Sequence, residues 1–498
     1  MNSLETFWSG PRARRWLGWL GILGAIGYAI FLTAYFAPVA GGADSSGYMN
    51  SARLFTRGRL KTELRVVPEV KVLSPFHFLP QGFVPVRQPG STQIVPTYPT
   101  GLPLQLAAAV RVFGWKIGPY VTWVGGALLA VVLCYALARE FGIAPGLAIL
   151  GAATLAISPM FLFIAVQSLS DVLATTWACL AIYSARRASR SWLWALGSGA
   201  ACGVAVLVRP TNLLILPAVV WFLANYRLLG WLIAGGLPMA AWVAFYQHSL
   251  YNDALRSGYG DIFSSFESAN FAPTISHYLT WLPRELSPPL LVFAFASLLL
   301  WRTQWRVMAG LILWAGPILM FYAYYDVTKE TWWCLRFILP AFPPIILAAL
   351  LGMKAVGEKF ASPDYRRAFS AVMAALWIWS LHAEWKWDKQ IDALAPARFE
   401  IAYEKAGVWI RDNLPADALV TCMNAAGAVY YYTDFPVLRW DTESAEEFHD
   451  YVAKVEQAHR PFYALFADAE QKEEFDKNSA GKWKLIKQID GWGVWKWE

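Results

Sequence analysis

Charge is scarce in this chain. Only 15% of its 498 residues are Asp, Glu, Lys or Arg, against about 25% in soluble globular proteins. Hydrophobic residues make up 57%, tryptophans number 27, and the mean hydropathy is positive. Together these argue against a soluble enzyme and for a membrane protein. Cysteine is also scarce: five residues in a chain of this length argue against a disulfide framework. Cys134, Cys179 and Cys202 lie inside apolar runs, where cysteine behaves as a small hydrophobe. Cys334 and Cys422 are expected on the outer side, and the sequence leaves open whether they pair. The chain has no Cys-x-x-Cys and no His-x-x-x-His, so no dedicated zinc site is expected. A glycine-rich nucleotide loop, internal repeats and low-complexity tracts are missing too. The net charge of +7 does not indicate a nucleic-acid partner, because the basic residues fall in short clusters between apolar runs.

Those runs recur at about residues 16–37, 119–138, 145–165, 171–185, 192–208, 211–225, 229–247, 288–301, 307–325, 337–353 and 368–385. The first, Trp16 to Ala37, is long enough to cross a hydrocarbon core of about 30 Å, and no signal-peptide cleavage site follows it. The pattern predicts about eleven spans, with two short Gly- or Pro-punctuated ones as re-entrant candidates. Arg12, Arg14 and Arg15 precede the first span and place the N-terminus in the cytoplasm. On that count Arg139-Glu140, Arg186 to Arg190, Arg227, Arg302 to Arg306 and Lys354 to Arg367 all fall inside, and the C-terminus falls outside.

The expected fold is therefore a polytopic α-helical membrane protein: a transmembrane module over 1–390 and a small extracytoplasmic α/β domain over 396–498. The first outer loop, 38–99, is too long to be idle. Ser45 to Arg57 reads as an amphipathic helix closed by Gly58. A second outer segment, His248 to Ser287, carries Arg256-Ser257-Gly258-Tyr259-Gly260. In the C-terminal domain helices are predicted over Phe399–Asn413, Ala445–Gln457 and Glu470–Lys477. Strands are predicted at Ala418–Val420 and Phe462–Phe466.

Polar groups at the outer face are the candidate site. Asp44, in Gly41-Gly42-Ala43-Asp44-Ser45, is placed to take a proton from an acceptor hydroxyl, or else to cap the following helix. Asp171 sits at the head of a span, where an ionisable group is functional by default, or again a cap. Arg209, in Val208-Arg209-Pro210-Thr211-Asn212, is an outer arginine in a tight turn. It calls for a phosphate or carboxylate partner, or snorkels to headgroups. Arg336 raises the same question, with Lys329 just before it, and these cations could stabilise a departing phosphate. Tyr98-Pro99-Thr100-Gly101-Leu102-Pro103 is a rigid aromatic turn back toward the membrane, or an interface anchor.

Five stretches resemble the C-type glycosyltransferases, in the branch of the dolichyl-phosphate-mannose protein mannosyltransferases and the bacterial aminoarabinose transferases. They are Asp44 with Tyr48, Tyr98 to Leu104, Ser168 to Asp171, Val208 to Leu214, and Arg336 to Pro343. The tail, with Ala406 to Pro415 and Tyr430-Tyr431-Tyr432, is similar to tails in such proteins. The resemblance implies transfer of one sugar, hexose or pentose, with inversion. The donor would be a polyprenyl-phosphate sugar, the acceptor a glycan, lipid or protein, and the place the outer face of the inner membrane. It implies Asp44 at the active site; taken with the readings above, Asp44 and Asp171 are the expected catalytic residues, and Tyr48, Tyr98, Arg209, Tyr259, Lys329 and Arg336 the expected substrate-binding ones. Many relatives carry an acidic pair where this chain has Asp44-Ser45. That leaves a second carboxylate to be supplied from elsewhere, with Asp171 and Asp261 as candidates. A divalent metal, with Asp44 and Asp171 as possible ligands, stays open on these grounds.

A secondary transporter or lipid-linked sugar flippase is the competing class. It predicts inverted repeats and midplane ionisable residues, whereas here no repeat is found and the ionisable residues cluster at the faces.

Overall fold

A computed structural model describes residues 11–86, 91–223, 225–254, 256–260, 263–467, 472–473, 475–476 and 481–498. Asp261 and half of the helix expected over Glu470–Lys477 lie outside the described residues.

The protein is a polytopic helical bundle. The apolar runs of the sequence fall on helix, but among the described residues only four helices are long and apolar enough to cross a membrane on their own: Gly101–Glu140, Tyr226–Tyr251, Pro288–Ala323 and Trp332–Glu358. A fifth is added if Pro145–Ile157 and Pro159–Ala165, bent by 59° across Ser158, count as one span. Proline and glycine shorten the others, as at Pro210 and Pro217. The runs at 288–301 and 307–325 join into one helical stretch broken at Gln304. Helix Gly101–Glu140 breaks at Gly114 (φ 74°), so its first part, which the sequence reading passed over, is a separate apolar helix on the loop side.

Apolar side chains cover the outside of the bundle, as lipid contact requires. Ile30 is 66% exposed, Ile233 59% and Phe295 71%. Inside, small residues let helices touch: an added Cβ at Gly199 would lie 1.8 Å from Leu232 O, and one at Gly235 2.0 Å from Leu196 O. Basic loops read as cytoplasmic gather at one end. Arg187 Nε reaches Glu140 at 2.7 Å, and Lys354 Nζ reaches Gly142 O at 3.3 Å.

The loop after the first helix folds. It holds a buried helix, Ala43–Thr56, and a three-stranded antiparallel sheet in the order β1 (Thr62–Glu63), β3 (Gln93–Pro96), β2 (Phe83–Pro85). Residues 396–498 carry a second sheet, ordered β5 (Val437–Leu438), β4 (Leu419–Thr421), β6 (Phe462–Phe466), β8 (Trp492–Trp497), β7 (Trp483–Ile489). Strands β5, β4 and β6 are parallel, with Val420 opposite Val437 and Tyr463, and β8 and β7 add antiparallel. Helices Pro396–Asn413, Ala426–Tyr432 and Ala445–Gln457 pack with this sheet, the last opened by a Ser444–Glu447 capping box.

Loop and C-terminal region share one core. Leu64, Phe78, Phe83 and Ile94 pack in the same cluster as Leu438, Trp440 and Tyr451. Arg53 lies 3.7 Å over the Tyr431 ring and donates to Tyr431 O at 2.6 Å, and Arg65 lies 3.8 Å over Tyr430. The first loop and the C-terminal region therefore stand on the same side of the bundle. Cys334 and Cys422 are both buried and free, Cys334 Sγ lying 3.2 Å from Thr331 Oγ1.

Candidate active site

The first helix, Pro11–Tyr35, delivers the chain to the loop side, where several segments fix it. Ala37 N–H donates to Val166 O at 3.1 Å, and Ser168 Oγ donates to Ala37 O at 3.2 Å. Ala40 N–H donates to Tyr432 Oη at 2.9 Å. Helix Ala43–Thr56 then begins with Gly42 at its N-cap and no side-chain cap. Asp44 is thus in the first turn, where its charge suits the helix dipole, and does not cap. Its carboxylate turns to Arg336, with Nη2 at 2.9 Å from Oδ2. The Tyr98 hydroxyl faces the same carboxylate.

Asp171 behaves in the same way. Ser170 precedes its helix, Asp171–Arg187, and the Asp171 side chain is not the cap. It is buried, at 2% exposure, and is ion-paired with Arg209 Nη1. Arg209 is the extended residue that ends helix Trp192–Val208 ahead of Pro210. Asn212, one turn on, donates to Ala174 O at 3.1 Å and Ala205 O at 3.2 Å, and locks this turn against the Asp171 helix.

The two pairs converge. Arg209 Cζ lies 5.0 Å and Arg336 Cζ 5.2 Å from the ring centroid of Phe337. Phe337 stacks on Tyr322 at 5.4 Å, and Tyr322 Oη donates to Thr211 Oγ1 at 2.8 Å. Tyrosines form a wall beside them. Tyr48 meets Tyr98 at 4.9 Å between ring centroids, and Tyr98 meets Tyr259 edge-on at 6.2 Å. Tyr48 Oη donates to Ser170 Oγ at 2.9 Å, which ties this wall to the Asp171 helix. Gly101 makes the assembly possible: a Cβ there would lie 2.4 Å from the backbone of Leu207 and Val208, so the Tyr98–Pro103 turn rests directly on the chain leading into Arg209. The other four sequence stretches therefore assemble around Asp44: Arg336 and Tyr98 face its carboxylate, Tyr48 bonds Ser170, and Arg209 shares Phe337 with Arg336.

Lys329 stands apart. Its ammonium bonds Asn270 Oδ1 and is not among the groups that touch the Asp44 carboxylate.

Electrostatics separate the acid from the phenols. Burial works against the charged form of Asp44, but the Arg336 guanidinium, the Tyr98 hydroxyl and the more distant Arg209 outweigh it and hold its carboxyl below the usual carboxylate range. Burial pushes Tyr48 up to about 12 and Tyr98 well above its ordinary value, both aided by the Asp44 charge. Near neutral pH the site thus offers one accessible carboxylate, protonated phenols as donors and two guanidiniums. A divalent metal fits poorly. Among the described residues no three His, Cys, Asp or Glu side chains converge, and Asp44 and Asp171 each face their own arginine.

Sequence reasoning missed Phe337, the platform shared by both arginines, although it adjoins Arg336. It also missed Glu400, whose Oε2 accepts from Ser45 Oγ at 2.5 Å, beside Asp44. No local signal marks Glu400: it is an ordinary acidic residue of an amphipathic helix, 355 positions from Ser45.

No protein-family model and no curated protein sequence matches the chain. Its fold does match solved structures. ArnT from Cupriavidus metallidurans bound to undecaprenyl phosphate superposes with a TM-score of 0.61 at 13% identity, over 96% of this chain and 98% of that one. Its apo form gives 0.59 at 14% identity, over the same shares of both chains. The archaeal oligosaccharyltransferase AglB from Archaeoglobus fulgidus, in complex with an inhibitory peptide and a dolichol-phosphate, gives 0.53 at 13%, over 90% of this chain and 69% of that one.

Proposed function

We propose that this protein is a membrane glycosyltransferase that moves one sugar, with inversion, from a polyprenyl-phosphate donor to an acceptor at the outer face of the inner membrane. The carrying observation is the Asp44–Arg336 pair, with the Asp171–Arg209 pair sharing the Phe337 ring with it. A lipid-linked donor keeps its polyprenyl tail in the bilayer, so its phosphate must react where the helices end. Asp44 stands there, a few residues beyond the first helix. The folds of ArnT with undecaprenyl phosphate and AglB with dolichol-phosphate support the same reading.

In this scheme the acceptor hydroxyl oxygen attacks the anomeric carbon opposite the phosphate. The bond from that carbon to the phosphate oxygen breaks, with its electrons going to the phosphate. The hydroxyl proton passes to the Asp44 carboxylate. A single displacement inverts the anomeric configuration. The phosphate goes from about one negative charge to about two, which Arg336 and Arg209 are placed to stabilise. Asp171 holds Arg209 in place more than it handles protons, because it is fully covered. Tyr48, Tyr98 and Tyr259 form the wall against which a sugar would stack.

Residues 1–390 would form the catalytic membrane module of about eleven spans, and 396–498 an extracytoplasmic domain roofing it. The sugar could be a hexose or a pentose, and the acceptor a glycan, lipid or protein. The test has two parts. Purified protein should bind undecaprenyl phosphate by native mass spectrometry, and a deletion strain should lose one sugar from a cell-envelope glycan, lipid or glycoprotein. A strain with an unchanged envelope, and a protein that ignores the lipid phosphate, would remove the basis for this reading.

A further inference from the structure

The missing second carboxylate is the open question of the site, and the structure answers it from an unexpected direction. Helix Pro396–Asn413 of the C-terminal region lays the Glu400 carboxylate against the chain that carries Asp44. Oε2 accepts from Ser45 Oγ at 2.5 Å, and Oε1 accepts from Gly42 N–H at 3.3 Å. The two contacts bracket Asp44, one on either side in sequence. Ser45 Oγ in turn accepts from Gly41 N–H at 3.2 Å, so one carboxylate organises the whole helix entry. Gly41 is shaped for it: a Cβ there would lie 2.1 Å from Glu400 Oε2. Both glycines of the Gly41-Gly42 pair keep negative φ, so the pair does not serve a left-handed turn, and at Gly41 the missing Cβ makes room for Glu400.

We propose that Glu400 is a positioning residue for Asp44, and that the C-terminal region thereby completes the active site. This rests on the glycosyltransferase reading above. The helix entry has no side-chain cap of its own, so the aim of Asp44 toward Arg336 depends on what holds Gly42 and Ser45. Holding a reacting group within a fraction of an ångström matters: a misplacement of about 1 Å can cost about 10²-fold in rate. The groups facing the Glu400 carboxylate are Asp44, Tyr403 and Tyr432, none of them cationic, so it is held by hydrogen bonds and not by an ion pair. That distinction decides the expected variants. In Glu400→Gln, Oε1 still accepts from Gly42 and Nε2 donates to Ser45 Oγ, whose proton turns to Gly42 O, already 3.2 Å away. Gln should therefore replace Glu.

The experiment uses the full-length protein. Sugar transfer is read as glycan product restored to a deletion strain at equal protein level, and lipid-phosphate binding is read separately, as the Kd for undecaprenyl phosphate in detergent. Glu400→Ala should cut transfer by roughly 10- to 100-fold while Kd stays within about twofold, and Glu400→Gln should recover transfer to within about threefold of wild type. Gly41→Ala, which displaces the Glu400 carboxylate without touching the docking residues Arg53 and Arg65, should mimic Glu400→Ala. This second variant keeps the test usable if Glu400→Ala does not fold. Wild-type transfer by both Glu400→Ala and Gly41→Ala overturns the proposal. Equal loss in Gln and Ala also overturns it, since the charge would then be the operative property. Loss of undecaprenyl phosphate binding along with transfer would show general damage to the fold and overturn it too. If wild-type protein itself neither binds undecaprenyl phosphate nor transfers sugar, the glycosyltransferase reading fails instead.

Discussion

Replacing Asp44 by Asn separates chemistry from structure at this site. The change removes one charge and almost no volume. No cap is lost, because Gly42 occupies the N-cap and the Asp44 side chain bonds no backbone amide there. What is lost is the ionic part of the contact with Arg336. Asp44 keeps 32% of its side-chain surface open and Arg336 17%, so the pair lies between an exposed and a buried one. A stability loss of about 1 kcal/mol is expected, since exposed pairs contribute little and only fully buried ones several times more. Loss of a general base should lower transfer by about 10²- to 10⁴-fold, or about 3–5 kcal/mol of barrier at about 1.4 kcal/mol per tenfold. The catalytic loss should exceed the stability loss severalfold, and the two are measured independently. Protein level and thermal unfolding in detergent report the stability loss, and restored glycan product in a deletion strain reports the catalytic loss. Undecaprenyl phosphate should bind Asp44→Asn at least as tightly as wild type, because Arg336 no longer has a carboxylate competing for it. Normal glycan product from a well-expressed Asn variant would refute the role of Asp44 as base.

Arg336→Gln should move the acid limb of kcat/KM to higher pH: the guanidinium holds the Asp44 carboxyl below the usual carboxylate range, and removing a neighbouring cation raises a carboxyl pKa. An acid limb that stays in place would show that Asp44 is not the group titrating. Arg209→Lys keeps the charge but loses the planar fork that pairs with Asp171 over Phe337, so undecaprenyl phosphate affinity should drop roughly tenfold; unchanged affinity would leave Arg209 a purely structural role. Gly101→Ala drives a methyl into the Leu207–Val208 backbone and should cost about 1–3 kcal/mol of stability, seen as a lower unfolding temperature. A secreted alkaline phosphatase fused after Glu498 should be active, and an inactive fusion at normal level would reverse the proposed orientation.

The fold was legible where its causes are local. Apolar runs, basic punctuation and Gly–Pro breaks specify helices within a few residues of themselves, and those runs fall on helix. The helix Ala445–Gln457 was legible for the same reason, since Ser444 and Glu447 announce its start. Strands β7 and β8 were not. Strand β7 lies on the sheet edge with Lys484, Leu485, Ile486 and Lys487 all exposed, and a bulge between Leu485 and Lys487 breaks the alternation that marks a half-buried strand. The helix Gly101–Phe113 escaped notice because Arg111 interrupts its apolar run, and in the structure that guanidinium folds back onto Phe55 O at 3.1 Å.

The site was legible in its parts but not in its pairings. Asp44, Asp171, Arg209 and Arg336 each stood out because a charge beside an apolar run needs a partner. The sequence offered phosphate, carboxylate or lipid headgroup for the arginines, and a cap or a base for the aspartates. It could not say that the needs cancel in pairs, Asp44 with Arg336 and Asp171 with Arg209. That cancellation is physically necessary. Two guanidiniums held near one aromatic ring repel each other, and without carboxylates they would be costly to keep there before a phosphate arrives. The same logic orders the proposed reaction. Asp44 paired to Arg336 is held ionised but weakly basic, and a general base works best when its pKa lies nearer the working pH. A donor phosphate that draws Arg336 away loosens this hold and lets the Asp44 pKa rise. On the proposed function, donor binding therefore precedes acceptor activation, and Asp44 becomes a competent base only when there is a sugar to transfer.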